Sequence, residues 1–270
     1  MKKQIEFVII FTTLLLSSFI CINTNATETS GKTIYVGGTG NGNYSTIREA
    51  IDTTNDGDKI YVYSGIYLEH SLIIDKEILL VGEDCNTTII VGYKFNDTIT
   101  VYRDNVGMSG FSFLNGSMGI NIYDSNFCNV NNCIYRNCLF GIHLYSSDDN
   151  EISSNVFIDS INGLELEESF RNKVNKNNFI DNQRGLFCAY SPTNIVEFNN
   201  FISNDEDAKF TKFFHMGFLK PNVWKENYWD TWNGFFVKII PGVMYIPNRH
   251  LIGFFSPWIE IDYNPARVPY

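Results

Sequence analysis

Four glycines recur at a fixed interval of 22 residues, at positions 119, 141, 163 and 185, and this spacing constrains the chain more than any single motif. Self-similarity at such a period marks a repeat architecture. With the glycine as offset 0, offset 1 reads Ile120, Ile142, Leu164, Leu186, and offset 3 reads Ile122, Leu144, Leu166, Cys188. Offset 11 reads Met108, Val130, Ile152, Val174, Val196, and offset 16 reads Phe113, Tyr135, Phe157, Phe179, Phe201. Each apolar-x-apolar pair predicts a short strand with one face inward. The glycine and Asx/Ser clusters between pairs are turn chemistry. One coil cannot bury its own inward side chains, so coils must stack about 4.8 Å apart with like residues over like. Asparagine recurs at offset 9 (Asn150, Asn172, Asn194), offset 14 (Asn155, Asn177, Asn199) and offset 19 (Asn182, Asn204). Stacked amides of this kind satisfy backbone groups left unpaired at corners.

The competing repeat of similar length is the leucine-rich repeat, which needs several leucines per unit and often a helical segment. These coils are rich in Asn, Ile, Val and Phe and show no 3.6-residue periodicity. The expected fold is therefore an all-β, right-handed parallel β-helix spanning 58–229, with in-register coils from 75 to 206. A six-residue insertion follows, then a last coil at about 213–229, where Asn222, Trp224, Asn227 and Trp229 resume offsets 9, 11, 14 and 16. Open solenoid ends must be covered. Residues 32–57 read as an N-terminal cap, with a strand from Thr33 to Val36 and a helix opened by the capping-box pattern Thr46-x-x-Glu49. The glycine-rich GTGNG turn between them lacks the lysine and βαβ context of a phosphate loop. Residues 230–270 read as an aromatic C-terminal cap.

Lys2 and Lys3, an apolar run from Ile5 to Ile20 and small residues at Thr24-Asn25-Ala26 read as a signal peptide over 1–26. That run is short of the roughly 20 residues of a membrane span. Bulky Phe19 and Ile20 before Cys21 argue against a lipoprotein site. The expectation is a secreted or cell-surface protein with no transmembrane helix in the mature chain. Formal net charge is −10. Removing two lysines and one glutamate with residues 1–26 takes it to −11, which excludes nucleic acid as a partner because phosphate binding needs a basic footprint. N-x-[ST] sequons at Asn25, Asn43, Asn86, Asn96 and Asn115 are candidate glycosylation sites, conditional on the host.

Cys128, Cys133 and Cys138 resemble a metal motif, but they occupy offsets 9, 14 and 19, where later coils carry asparagine. Cysteine is small and readily buried, so these are expected to line separate corners and to form neither a metal site nor disulfides with one another. His215-Met216 is the remaining copper candidate, weakened because adjacent strand side chains face opposite ways. No cofactor is predicted, and neither Ca²⁺ nor Cu⁺ finds support in the residues.

If offsets 1 and 3 point inward, offsets 2 and 4 point outward. Up that face run Asn121 and Tyr123, His143 and Tyr145, Glu165 and Glu167, then Phe187 and Ala189. Aromatic faces beside carboxylates, an imidazole and an amide suit a sugar, whose apolar face needs cover and whose hydroxyls need partners. Asn121, Tyr123, His143, Tyr145, Glu165 and Glu167 are therefore the candidate ligand-binding residues, with a polysaccharide or cell-surface glycan as partner. An ordinary solvated face is the bland alternative. Glu165 and Glu167, two residues apart, also suggest inverting hydrolysis, with His143 one coil away. A flat exposed strand, however, lacks the enclosure that raises a carboxyl pKa. The NTD, G-H-G and R-I-K motifs of the polygalacturonase-type β-helix are missing, Asp148-Asp149 lies in a turn, and no acidic Ca²⁺ site accompanies an arginine.

The stacked N-x-V-x-x-N-x-F coils and the ending NYWDTW…IIPG…YNPARVPY resemble NosD-like β-helix proteins over about 33–270, including exported archaeal members with a similar tail. The resemblance implies a right-handed β-helix, related in pattern to carbohydrate-binding and sugar-cleaving β-helices. It also implies, as an alternative, the copper-delivery role for which the family is named. The expectation is a noncatalytic exported module that binds glycan, with a polysaccharide lyase or glycoside hydrolase and a periplasmic copper-binding accessory factor as alternatives.

Overall fold

The computed structural model describes residues 31–214, 220–234, 236–246 and 254–270. The signal segment 1–26 (with Cys21 and the sequon at Asn25) and His215-Met216 lie outside the described residues. The chain winds into a parallel β-helix of two continuous sheets, one of 18 strands and one of 8. A complete coil contributes a six-residue strand such as Phe140–Tyr145 and a short strand such as Glu151–Ser153 to the larger sheet. A third strand such as Val156–Ile158 joins the smaller sheet.

The apolar columns form the interior. Phe113, Tyr135, Phe157, Phe179 and Phe201 stack at centroid spacings of 5.0, 5.0, 4.9 and 4.8 Å, and Trp229 continues the column 4.2 Å above Phe201. Each such pair contributes about 0.5–1.5 kcal/mol beyond burial. The glycine column is required by this stack. A Cβ at Gly163 would meet the Gly185 carbonyl oxygen at 2.7 Å and the Phe179 ring at 2.9 Å.

The corners repeat one device. A residue in the left-handed region, such as Ser154 (φ 56°) or Lys176 (φ 55°), turns the chain, and the next residue's side chain accepts a hydrogen bond from the backbone N–H of its counterpart in the preceding coil. The offset-14 ladder runs through Asn155, Asn177, Asn199 and Asn227, its N–H to Oδ1 bonds measuring 2.9, 2.9 and 3.0 Å. A serine ladder at offset 6 (Ser125, Ser147, Ser169, Ser191) does the same at a fourth corner. It stands in the sequence as a 22-residue column that the reading of the asparagine columns passed over. The cysteines open the ladders. The N–H groups of Cys128, Cys133 and Cys138 donate to Asn150, Asn155 and Ser160 of the next coil. All five described cysteines are buried and none is in a disulfide.

Two register expectations need correction. Strict 22-residue pairing begins with Gly107↔Asn129 and does not reach back to 75, since Leu80 pairs with Met108, Ile90 with Phe113 and Ile99 with Ile120. Early turns differ in length, and strand pairing tolerates this because extra residues are absorbed at corners outside the ladder. Nor does the register break after Glu206. Arg184↔Glu206 and Ala189↔Thr211 keep the interval, and the six extra residues fall between Phe213 and Asn222, giving Val196↔Trp224.

At the N-terminal end, Thr46 caps helix Ile47–Thr53, whose Ile47, Ala50 and Ile51 are buried against the first coils. At the other end, strands Lys238–Ile246 and Phe254–Asp262 form an antiparallel hairpin that pairs with the last long strand and touches Trp224. The hairpin also terminates two ladders. Glu260 accepts from the Asn222 N–H and amide and from the Trp224 indole, while Asp262 accepts from the Asn227 N–H and amide and from the Trp229 indole. Burial pushes the Glu260 carboxyl above its ordinary value, opposed by these donors.

Candidate functional site

The register brings the candidate residues together on the outer face of the long strands. Asn121 pairs with His143 and His143 with Glu165, while Tyr123 pairs with Tyr145 and Tyr145 with Glu167. Two parallel rows result. The aromatic row stacks Tyr123 on Tyr145 at 5.0 Å and 18°, and Tyr102, 5.7 Å from Tyr123, extends it by one coil. Tyr102 was missed in the sequence because it stands 21 rather than 22 residues before Tyr123.

The polar row is not the flat, exposed strand the sequence suggested. His143 and Glu165 are each only 9% exposed. The residue preceding the glycine also reaches this row and walls it. The Phe140 ring sits 5.7 Å from the His143 ring, and the Asn162 amide donates to Glu165 Oε2 at 2.6 Å. Arg184 Nη1 donates to Asn162 Oδ1 at 3.3 Å, and Arg184 Nε donates to Glu206 at 2.6 Å. These wall residues vary in type from coil to coil, so no column in the sequence flagged them.

His143 Nε2 lies 3.3 Å from Glu167 Oε2. The Asn121 amide donates to Asp97 Oδ2 at 3.1 Å. Two atoms of the row, His143 Nδ1 and Asn121 Oδ1, are buried without a hydrogen-bond partner. Burial raises the Glu165 carboxyl above its ordinary value, with Asn162 opposing and the Glu167 charge reinforcing the rise. Burial lowers the His143 imidazole, against the pull of Glu167. Burial thus disfavours the imidazolium at His143 and holds Glu165 closer to protonation than a surface glutamate.

One ligand atom from each of His143, Glu165 and Glu167 lies within 4.8 Å of the others, the one such group of three among the described residues.

The family described as "Periplasmic copper-binding protein (NosD)" matches residues 22–234. Among curated proteins, a probable pectinesterase/pectinesterase inhibitor 17 of Arabidopsis thaliana is 36% identical over 87 residues, covering 28% of this chain and 17% of that protein. The chain therefore spans under a fifth of the curated relative's length. Among solved structures, an alginate lyase from Paenibacillus sp. str. FPU-7 superposes with TM-score 0.55 at 13% identity, covering 74% of this chain and 88% of that one. The catalytic domain of a GH87 alpha-1,3-glucanase in complex with nigerose gives TM-score 0.58 at 13% identity, covering 76% and 40%. At these identities the structural likeness establishes the fold.

The copper in the family's description tests poorly against the described residues. Soft Cu(I) prefers thiolate and thioether donors. Burial pushes the thiols of Cys128 and Cys138 up to about 12 and about 11, so they remain protonated. Their sulfurs also turn to different carbonyls, Cys128 toward Arg103, Cys133 toward Asn131 and Cys138 toward Arg136. The imidazole-and-carboxylate set of His143, Glu165 and Glu167 suits a divalent ion instead. Among the described residues no helix is long and apolar enough to cross a membrane.

Proposed function

The chain belongs to the NosD family of β-helix proteins, and from that premise we propose that it is an exported, noncatalytic module whose outer stripe binds a polysaccharide or cell-surface glycan. The observation that carries the reading is the Tyr102–Tyr123–Tyr145 row beside a walled polar row. Rings one coil apart offer successive apolar platforms, and His143 Nδ1 and Asn121 Oδ1 are buried polar atoms that a ligand's hydroxyls would satisfy. The β-helix of polysaccharide-acting proteins supports the same class of partner without fixing its identity.

Binding of the full chain to a panel of neutral and acidic polysaccharides, with and without Ca²⁺ and copper, tests the proposal. Saturable binding without turnover is expected, weakened about tenfold or more by Tyr123→Ala or Tyr145→Ala, a loss of about 1.4 kcal/mol. Binding unchanged in both variants sinks the site assignment. Turnover abolished by Glu165→Gln would instead establish a lyase or hydrolase.

The donor set of His143, Glu165 and Glu167 favours one second reading, a divalent-ion site. Titration with Zn²⁺ and Cu²⁺ followed by the His143 ring resonances separates it from the first. A metal-induced shift lost in Glu167→Gln supports it, and unshifted resonances dismiss it.

A further inference from the structure

Outside the stripe, the seam between the last full coil and the C-terminal hairpin carries a polar cavity that the repeat itself explains. Asp207 stands at the column position of the repeat glycine, one coil beyond Gly185. A Cβ at Gly185 would meet the Asp207 carbonyl oxygen at 2.5 Å, because the next coil's backbone closes over that position. Above Asp207 the next coil gives way to the hairpin, and a side chain is accommodated. The resulting cavity measures about 200 Å³ and is lined by Asp205, Glu206, Asp207, Thr231, Lys238 and Pro241, among others. At about 30 Å³ per water it holds several waters or one small polyol ring.

Asp207 is 8% exposed. Its Oδ2 accepts from the Thr231 hydroxyl and from the Lys238 ammonium at 3.0 Å. Its Oδ1 is buried without a hydrogen-bond partner. A desolvated carboxylate oxygen in this position calls for a donor. Lys238 already neutralises Asp207, and Glu206 is paired with Arg184 at 2.6 Å and Lys209 at 3.1 Å. Because Lys238 meets the charge of Asp207 itself, the donor assigned to Oδ1 is a neutral hydroxyl, and a cation drawn by the neighbouring Asp205 carboxylate is the competing outcome of the test. Ala208, Ile239 and Pro241 supply an apolar wall for the carbon face of a ring. A hydrogen-bonded chain, Glu165–Asn162–Arg184–Glu206, runs from the stripe to the cavity edge.

We propose that the Asp207 cavity is a subsite for one neutral sugar unit, placed at the end of the stripe where a bound glycan terminates. Its continuity with the stripe rests on the glycan-binding reading, whereas the cavity's own affinity does not. The test is a titration of the isotopically labelled full chain with glucose, galactose and mannose and with their short oligosaccharides, followed by amide resonances. At least one monosaccharide is expected to shift residues 204–208 and 231–241, with affinity reduced tenfold or more by Asp207→Asn. Ile239→Trp, which narrows the mouth at an exposed position without touching Asp207, should do the same if Asp207→Asn fails to fold. Tyr123→Ala should weaken binding of the oligosaccharides. Monosaccharide shifts confined to Tyr102, Tyr123 and Tyr145 would overturn the subsite while sparing the stripe. Shifts confined to the cavity would sink the stripe and keep the subsite. No cavity shift with any neutral sugar, or tighter binding of methylammonium, overturns the proposal.

Discussion

Replacing Asn177 by alanine removes one rung from the middle of a buried ladder, and the cost follows from its bonds. Its Oδ1 accepts from the Asn155 N–H at 2.9 Å and from the Asn155 amide at 3.2 Å. Its own amide donates to the Ile152 carbonyl at 2.8 Å and to Asn199 Oδ1 at 3.0 Å. Asn199 Oδ1 keeps the Asn177 backbone N–H at 2.9 Å, so that acceptor survives the substitution. The Asn155 N–H does not survive it, and a stranded buried donor costs about 1–3 kcal/mol. The bond to Ile152 and the two amide-to-amide bonds add about 0.5–1.5 kcal/mol each. Asn177→Ala should thus destabilise by about 2.5–7.5 kcal/mol, a large part of the 5–15 kcal/mol typical of a domain. Guanidinium denaturation reads this as a lower midpoint at unchanged slope. Lys173→Ala, in the same coil but exposed and only 3.9 and 3.7 Å from Glu151 and Glu197, should cost under about 1 kcal/mol. If Asn177→Ala and Lys173→Ala shift the midpoint equally, the ladder does not hold the coils together and the reasoning fails.

Gly163→Ala forces a methyl into contacts of 2.7 and 2.9 Å with the Gly185 carbonyl and the Phe179 ring, and should cost about 1–3 kcal/mol by melting; unchanged melting would mean the aromatic stack shifts freely. Burial raises the Glu260 carboxyl in the folded protein, so the folded state holds its proton to higher pH than the unfolded chain. Stability from this group is present below the unfolded value of about 4.3 and is lost as pH rises through the folded value. Denaturation midpoints across that window should fall with rising pH in the wild type and less steeply in Glu260→Gln; parallel profiles refute the assignment. With thiols held at about 12 and about 11, Cys128 and Cys138 should resist iodoacetamide at pH 8 in the native protein and react once it is unfolded in guanidinium; rapid native alkylation contradicts the burial.

The fold was legible in the sequence because a solenoid writes its tertiary contacts as a period. Phe157 and Phe179 are 22 residues apart in the chain and 4.9 Å apart in space, so a column of like residues is already a contact map. The Asn121–His143–Glu165 and Tyr123–Tyr145–Glu167 rows were found by the same arithmetic. That arithmetic fails where the interval changes, which is why Tyr102 and the position of the insertion escaped it. It also says nothing about contacts between unlike columns. The enclosure of His143 and Glu165 comes from Phe140 and Asn162, each standing just before a repeat glycine, with Arg184 bonded to Asn162. The role of the carboxylates in WIEIDYNPARVPY depends on a hairpin returning to the open ends of two ladders. Sequence by itself determined the coil, the inward columns and the corner ladders, because each repeats against its own copy. Only the tertiary structure decided the enclosure of the polar row, the closure by Glu260 and Asp262 and the cavity at Asp207, because these join segments that share no period and meet only when the chain is wound.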